Sequence, residues 1–353
     1  MTHDTGTNNM VANDTATGPD AKTVGATPAS EATVFVASRI HRKSLEYAQR
    51  VFKRVVQPNV DGWPLERCLT ECDAALVRVF DYPAEYVAKG KRLKIIARNG
   101  TGYDSINLPA CKEHGVIVTN VPGGNAPAVG ELTIALALAV MRRVVETNNR
   151  IRSGEQLPSI DALSIGLRGK TVGLVGMGSI AYEAAKLFAA FQCPIIVYAP
   201  TSPPERWNVP SEQYPTAVAH TRAASLDELL QTADVVSLHC PLTASTRNMI
   251  GARELALMKT ESVLINTSRG GMIDEDALAV ALSTGQIYGA GLDVMAHEPA
   301  FGANLGALRD LPNVVILPHL GGSTEATTEM GCNEAIDIIR DYLDGKGARN
   351  RVA

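Results

Sequence analysis

The sequence predicts an α/β protein built of two Rossmann-like, doubly wound parallel-sheet domains with a cleft between them. Three observations carry that expectation. From residue 32 onward, short β-branched runs alternate with helical patterns, which implies parallel strands covered on both faces. A glycine turn, Gly176-Met-Gly178-Ser-Ile-Ala181, follows directly on the strand-like run TVGLVG and opens a helix. At 353 residues the chain is long enough for two separate cores.

In order along the chain, TVFVAS, AALVRVF, LKIIARNG and VIVTN have the pattern of strands, with helices over Ser44–Phe52, Leu65–Cys72, Pro83–Gly90 and Asn107–His114 between them. Pro83 suits a first helical position, where its missing N–H costs little. A long helix is expected next, from Asn125 as N-cap through Pro127 to a stop at Gly154. Its first half is apolar nearly all round. That predicts burial between domains or subunits, or in the core of one domain; its length favours a connector. A second alternation starts at Lys170, with strands TVGLVG, PIIVYA, DVVSLH, SVLINT, YGAGLDV and NVVILP, and a closing helix over Ser323–Leu343. The expected division is residues 32–125 with 320–345 as a substrate domain, and 126–319 as a dinucleotide-binding domain. Residues 1–31 lack aromatic side chains and are rich in Thr, Ala, Asn, Asp and Gly, the composition of a disordered tail without a secretory or transit signal.

Composition narrows the function class. The formal net charge is −4, which argues against a general binder of nucleic acid or anionic membrane, since either needs a basic face. No apolar run is long enough to span a membrane. The six cysteines are scattered and form no C-x-x-C, so they suit a reducing compartment, and no metal site is expected. The expected location is the cytoplasm.

The glycine turn implies a dinucleotide. Gly176 permits the tight turn, Gly178 lets the backbone approach a pyrophosphate, and Ala181 sits where helix and strand pack; Ser179 and Ile180 open the helix whose N-terminus faces the phosphates. The second strand of such a unit ordinarily ends in an acid that holds the ribose hydroxyls. Ala199 stands there instead, followed by Thr201, Ser202 and Arg206, which could hold a 2′-phosphate or form only a surface loop. NAD against NADP stays open, with NADP raised.

Three polar residues end strands of the second unit: Arg269 after SVLINTS, Glu298 after GAGLDV and before Pro299, and His319 after NVVILP. Carboxyl ends of parallel strands form the crevice where ligands bind. Hydride exchange with a 2-hydroxy acid needs these types. An Arg fork grips the carboxylate, a His carries the hydroxyl proton, and a carboxylate orients the imidazole and favours its protonated form.

On these residues the chain resembles the D-isomer-specific 2-hydroxyacid dehydrogenases, the family of 3-phosphoglycerate, glycerate/hydroxypyruvate and D-lactate dehydrogenases. The resemblance spans roughly residues 70–343. It rests on Gly169-Lys-Thr-Val-Gly-Leu-Val-Gly-Met-Gly178, His239-Cys-Pro-Leu-Thr243 with Thr246, Asn266-Thr-Ser-Arg269-Gly-Gly271, Gly291-Leu-Asp293-Val with Glu298-Pro299, and Pro318-His319-Leu-Gly-Gly-Ser-Thr324. The likeness implies that His239, Pro241 and Thr246 lie beside the adenosine half, with Thr267 and Ser268 also at the cofactor and Asp293 at the nicotinamide carboxamide. It implies that Asn99, Gly100, Thr101 and Gly102 offer backbone N–H groups to the substrate carboxylate. Asn125 and Glu131 match the start of the family's connecting helix, and Arg78 falls where phosphoglycerate-type members keep a basic residue for the far end of the substrate. A homodimer through the connecting helix is implied by the same route. Met295-Ala296-His297 departs from the family's aromatic-and-acidic stretch and is expected to reshape the pocket wall. Glu298 argues against formate dehydrogenase activity, and Thr101, where a Lys is expected, against phosphite dehydrogenase. The serine-sensing domain of long phosphoglycerate dehydrogenases is not expected. A second reading, a nucleotide-sensing corepressor of the same fold, keeps the same three polar residues; the acidic charge counts against it.

Overall fold

The computed structural model describes residues 27–58 and 60–353. The chain forms two compact units, one of residues up to Pro122 together with Thr328–Ala353, the other of Gly123–Thr327. The helices are α1 (Arg42–Val51), α2 (Leu65–Glu71), α3 (Ala84–Lys89), α4 (Leu108–His114), α5 (Ala126–Met141), α6 (Val144–Arg152), α7 (Ser179–Ala190), α8 (Leu226–Thr232), α9 (Ala252–Leu257), α10 (Glu275–Ser283) and α11 (Glu325–Leu343).

In the first unit, β1 (Thr33–Val36), β2 (Arg54–Val56), β3 (Ala74–Val77), β4 (Ile95–Arg98) and β5 (Ile117–Thr119) form a parallel sheet in the order β2-β1-β3-β4-β5. That is the doubly wound order with its switch point beside β1 and β3. Every residue of β3 is buried, as a strand covered on both faces requires. One face packs against α11 through Ala335, Ile336 and Ile339.

In the second unit, β6 (Val172–Val175), β7 (Ile195–Tyr198), β8 (Thr221–Arg222), β9 (Val235–Leu238), β10 (Val263–Asn266), β11 (Gly289–Leu292) and β12 (Val314–Ile316) are all parallel, in the order β12-β11-β10-β9-β6-β7-β8. The order reverses between β6 and β9, and the crevice outside those strand ends is where such sheets bind ligands. The register decides what meets there. Val175 lies level with Tyr198 and Leu238, so Gly176, Ala199 and His239 leave the sheet side by side. Asn266 lies level with Leu292, and Leu292 with Ile316, so the loops bearing Arg269, Glu298 and His319 also leave together.

Several details differ from the sequence reading. The long helix expected from Asn125 to Gly154 is broken: Arg143, at φ 50°, separates α5 from α6. In an unbroken helix the Met141 carbonyl would accept from the N–H four residues on. Here it accepts from the N–H of Ile165 at 3.1 Å, with the Tyr288 hydroxyl at 3.5 Å. Nor is α5 a connector in its packing. A Cβ on Gly130 would come within 3.1 Å of the Ala184 nitrogen on α7, and one on Gly289 of β11 within 2.5 Å of Val140, so its apolar surface is core of the second unit. The short strands β2 and β8 escaped the sequence reading because three and two residues show no period. Finally, residues 1–26 of the expected tail lie outside the described residues, but Thr27–Glu31 belong to the fold. Ala29 is 3% exposed, and its N–H donates to Asp344 Oδ1 at 3.0 Å. Those partners are far off in sequence, so composition alone grouped the five residues with the tail. Pro83 stands at the N-cap of α3, one place earlier than expected. All six cysteines are free thiols, five of them buried.

Candidate active site

The dinucleotide end of the second unit is built from backbone. Gly176 has φ 107°, and a Cβ there would lie 2.6 Å from the His239 carbonyl oxygen, so no other residue fits. A Cβ on Gly178, the N-cap of α7, would meet nothing within 4 Å. The approach to the N-terminus of α7, with its unpaired N–H groups and positive dipole end, is therefore open, as a pyrophosphate needs. Ser179 and Ile180 are the first residues of α7, with Ala181 fully buried behind them. The Ser179 hydroxyl accepts from Gln213 Nε2 at 3.1 Å. His239 Nε2 lies 2.9 Å from the Ser237 hydroxyl, while its Nδ1 is buried without a hydrogen-bond partner among the described residues. Burial lowers its imidazole to about 4, so His239 is neutral at physiological pH. The Thr246 hydroxyl donates to the Pro241 carbonyl and accepts from the Thr243 N–H, both at 2.7 Å, which holds the loop in shape. Thr267 joins Thr133 of α5 at 3.0 Å, and the Ser268 hydroxyl donates to the Cys240 carbonyl at 2.5 Å. The residues present fit an adenine dinucleotide, which would supply the hydride.

Ala199, 7% exposed, directly follows β7, where the ribose acid was expected. Thr201 is exposed, and Ser202 and Arg206 are half-buried in the turn beyond it. Arg222, which sequence reasoning missed, also reaches Ala199: its Nη2 donates to the Ala199 carbonyl at 2.5 Å.

The catalytic candidates converge at the other strand ends. His319 Nδ1 lies 3.0 Å from Glu298 Oε2, which leaves Nε2 for a reacting oxygen. Burial alone would raise the Glu298 carboxyl; the His319 hydrogen bond and charge, the Met295 N–H and the Arg269 charge outweigh it, and the carboxyl lies below its usual range. Arg269 thus acts electrostatically on the same carboxylate. It is half-buried, with Nη1 donating to the Ser268 carbonyl at 2.8 Å. His319 itself has φ 57°, a left-handed conformation that a non-glycine residue holds only when its surroundings impose it. Asp293 imposes it. Its carbonyl accepts the His319 N–H at 2.9 Å, and its two carboxylate oxygens accept the N–H groups of Leu320 at 2.6 Å and Gly321 at 2.8 Å. Burial pushes the Asp293 carboxyl up, and those two N–H groups partly offset it.

Gly270, quoted in the sequence only as part of the Arg269 motif, has a packing role of its own. A Cβ there would lie 1.9 Å from the Met295 oxygen and 2.1 Å from its carbonyl carbon. The Arg269 loop therefore touches, backbone to backbone, the loop that carries Glu298. Met295 does not line a wall as expected: it is 2% exposed and packs into the core. Asn125 stands at the N-cap of α5, against Gly322.

The first unit carries the other candidates at the carboxyl ends of β3 and β4. The carbonyls of the Asn99–Gly102 loop are taken by the fold: the Val121 N–H donates to Gly100 at 3.1 Å and Asn120 Nδ2 to Thr101 at 2.8 Å. The Asn99 side chain donates to Cys332 Sγ of α11 at 2.9 Å. Burial raises the Cys332 thiol, and Arg78 and Asn99 both lower it, so Arg78 lies in the same neighbourhood. Gly331 makes room for Asn99, since a Cβ there would lie 2.2 Å from Asn99 Oδ1. Gly331→Ala is expected to keep the fold, because Ala favours the helix. If Asn99 holds the substrate, as the resemblance implies, the variant should displace Asn99 and raise the substrate KM by roughly three- to tenfold, the worth of one hydrogen bond. Steady-state kinetics at saturating cofactor check this; an unchanged KM would detach Asn99 from substrate binding.

Comparison with known proteins identifies the family. The family model described as D-isomer specific 2-hydroxyacid dehydrogenase, NAD binding domain, matches residues 134–321. The chain is 37% identical to a glyoxylate reductase of Thermococcus litoralis, over 84% of this chain and 89% of that one. It is 39% identical to a hydroxypyruvate reductase of Thermotoga maritima, over 81% and 90%. Among solved structures, the NADPH-dependent glyoxylate/hydroxypyruvate reductase of Sinorhizobium meliloti, in complex with NADP and malonate, superposes with a TM-score of 0.75 at 28% identity, covering 92% of this chain and 97% of that one. These matches do not favour the corepressor reading. Among the described residues, no helix is long and apolar enough to cross a membrane. The chain belongs to the D-isomer-specific 2-hydroxyacid dehydrogenase family and is a nicotinamide-dependent oxidoreductase.

Proposed function

We propose that the chain reduces small 2-keto acids of the glyoxylate and hydroxypyruvate type to the D-2-hydroxy acids, and runs the reverse reaction when product and oxidised cofactor are in excess. The pairing of His319 with Glu298 at 3.0 Å, within the field of Arg269, is the observation that carries this reading. The nicotinamide ring, when bound, supplies the hydride. His319, oriented through Nδ1, holds at Nε2 the proton that passes to the substrate oxygen in reduction and returns in oxidation. Glu298 accepts from Nδ1 and orients the ring. Because the Glu298 carboxyl is lowered in the folded protein, the ionised acceptor is present at neutral pH and is lost as pH falls through the lowered value. Arg269 pairs with the substrate carboxylate. Asn99–Gly102 offer further N–H groups, and Arg78 receives a hydroxymethyl, phosphate or phosphonate tail. Asp293 stands at the carboxamide and Asn125 at the substrate.

We infer a homodimer in the cytoplasm. Val144, Ile151, Ile160 and Leu163, at 53, 56, 69 and 68% exposure, support an apolar association surface on and after α6. Sedimentation of the full chain should give twice the monomer mass; a monomer at micromolar concentration removes the dimer.

The function is tested with glyoxylate, hydroxypyruvate, pyruvate and 3-phosphohydroxypyruvate, each with NADH and NADPH, followed at the nicotinamide absorbance. Turnover of the first two is expected. Absence of turnover with all four would overturn the reading.

A further inference from the structure

Arg222 lies on β8 in register with Val197 of β7. From there its Nη2 donates to the carbonyls of Ala199 at 2.5 Å and Ser202 at 3.3 Å, and its Nη1 reaches the Met177 sulfur at 3.0 Å. Arg206, from the turn after β7, donates through Nη1 to the Met177 carbonyl at 3.3 Å, with its guanidinium carbon 5.7 Å from the centre of the Tyr214 ring. Two guanidinium groups thus converge on Met177, the middle residue of the Gly176–Gly178 turn, one of them on Ala199 as well. Both residues are half-buried. Glu205, next to Arg206, is exposed, and neither Arg has an ion pair among the described residues. Their partners are carbonyls, a thioether and an aromatic ring, none of which neutralises the charge.

This is the place where a Rossmann unit specific for NAD keeps a carboxylate to accept the ribose hydroxyls. A carboxylate there repels a phosphate ester; two guanidinium groups do the opposite. The 2′-phosphate of NADP carries a charge of roughly −1.5 to −2, and guanidinium forks match phosphate oxygens in geometry as well as sign. A plain ribose hydroxyl would leave both cations uncompensated. Building on the oxidoreductase reading above, we infer that this chain selects NADP(H) over NAD(H), with Arg222 and Arg206 as the partners of the 2′-phosphate and the hydroxyls of Thr201 and Ser202 beside them.

The test is equilibrium binding of NADPH and NADH, read by nicotinamide fluorescence at one fixed ionic strength. It compares wild type, Arg222→Gln, Arg206→Gln and the double variant. Wild type is expected to bind NADPH roughly ten- to a hundredfold more tightly than NADH, as charge-assisted hydrogen bonds to one phosphate allow. Each single variant should weaken NADPH by about tenfold while NADH stays within about twofold. Arg206→Gln leaves the Arg222 bonds to Ala199 and Ser202 in place, so the loop keeps its brace in that variant. Equal affinities in wild type, or variants that weaken both nucleotides alike, would overturn the inference and leave Arg222 as a loop brace. If wild type binds neither nucleotide, it is the oxidoreductase reading that fails, and this inference with it.

Discussion

His319→Ala is expected to lower kcat for keto-acid reduction by roughly two to four decades, the usual worth of a positioned general acid. Cofactor affinity and fold should be unchanged, because the His319 side chain is about half exposed and its recorded partner is Glu298. The left-handed backbone at 319 should persist in the variant, since Asp293 holds it through the N–H groups of residues 319 to 321. Glu298→Gln should be milder. It keeps a hydrogen-bond acceptor for Nδ1 and removes only the negative charge beside the ring. Because the wild-type carboxyl lies below its usual range, the acid-side fall of activity that its protonation causes should be absent from the variant. Full pH profiles of both variants check this. Near-normal turnover in His319→Ala would remove His319 from the chemistry. An unmoved profile in Glu298→Gln would mean that the Glu298 charge does not contribute to turnover.

Gly270→Ala is the second large effect. The added carbon would overlap the Met295 carbonyl at 1.9 Å, and both sides of that contact are backbone, so no rotamer change relieves it. The loop bearing Arg269 must move away from the loop bearing Glu298. Overpacking of this kind costs about 1–3 kcal/mol or more. For a domain of this size that is a fall of roughly 2–12 °C in Tm. The same displacement carries Arg269 off its position, and a misplacement of about 1 Å can cost on the order of a hundredfold in kcat/KM. Ala at the open position Gly178, where a Cβ meets nothing, should by contrast leave Tm close to wild type. Thermal melts and kcat/KM of the two variants provide the comparison. Equal Tm values would mean that the two loops absorb the added carbon without strain.

The fold class was legible because strands of four buried residues, each followed by a helix, leave a periodic trace in the sequence. The catalytic candidates were legible for a related reason. Each sits just past a strand, and parallel strands in one sheet deliver their carboxyl ends to one edge, so position along the chain predicts proximity. What was illegible depends on partners distant in sequence. The break after Met141 exists because Ile165 and Tyr288 take its carbonyl, and nothing local to Arg142-Arg143 announces that. Ala29 looks like tail until Asp344 is placed beside it. Gly270 and Gly271 were visible as a pair, but only the register of β10 and β11 shows which of them lies under Met295. Arg222 sits on a strand of two residues, too short to be seen, and so its approach to Ala199 could not be anticipated.

The central claim is hydride transfer to C2 of a 2-keto acid with His319 supplying the proton. It is tested most directly by running hydroxypyruvate with nicotinamide cofactor deuterated at C4 on its transferable face, and examining the product by proton NMR. The account predicts D-glycerate with one deuterium at C2 in wild type, and a yield in His319→Ala that falls in step with kcat. Glycerate without the label, or no glycerate from wild type at saturating cofactor, would contradict it.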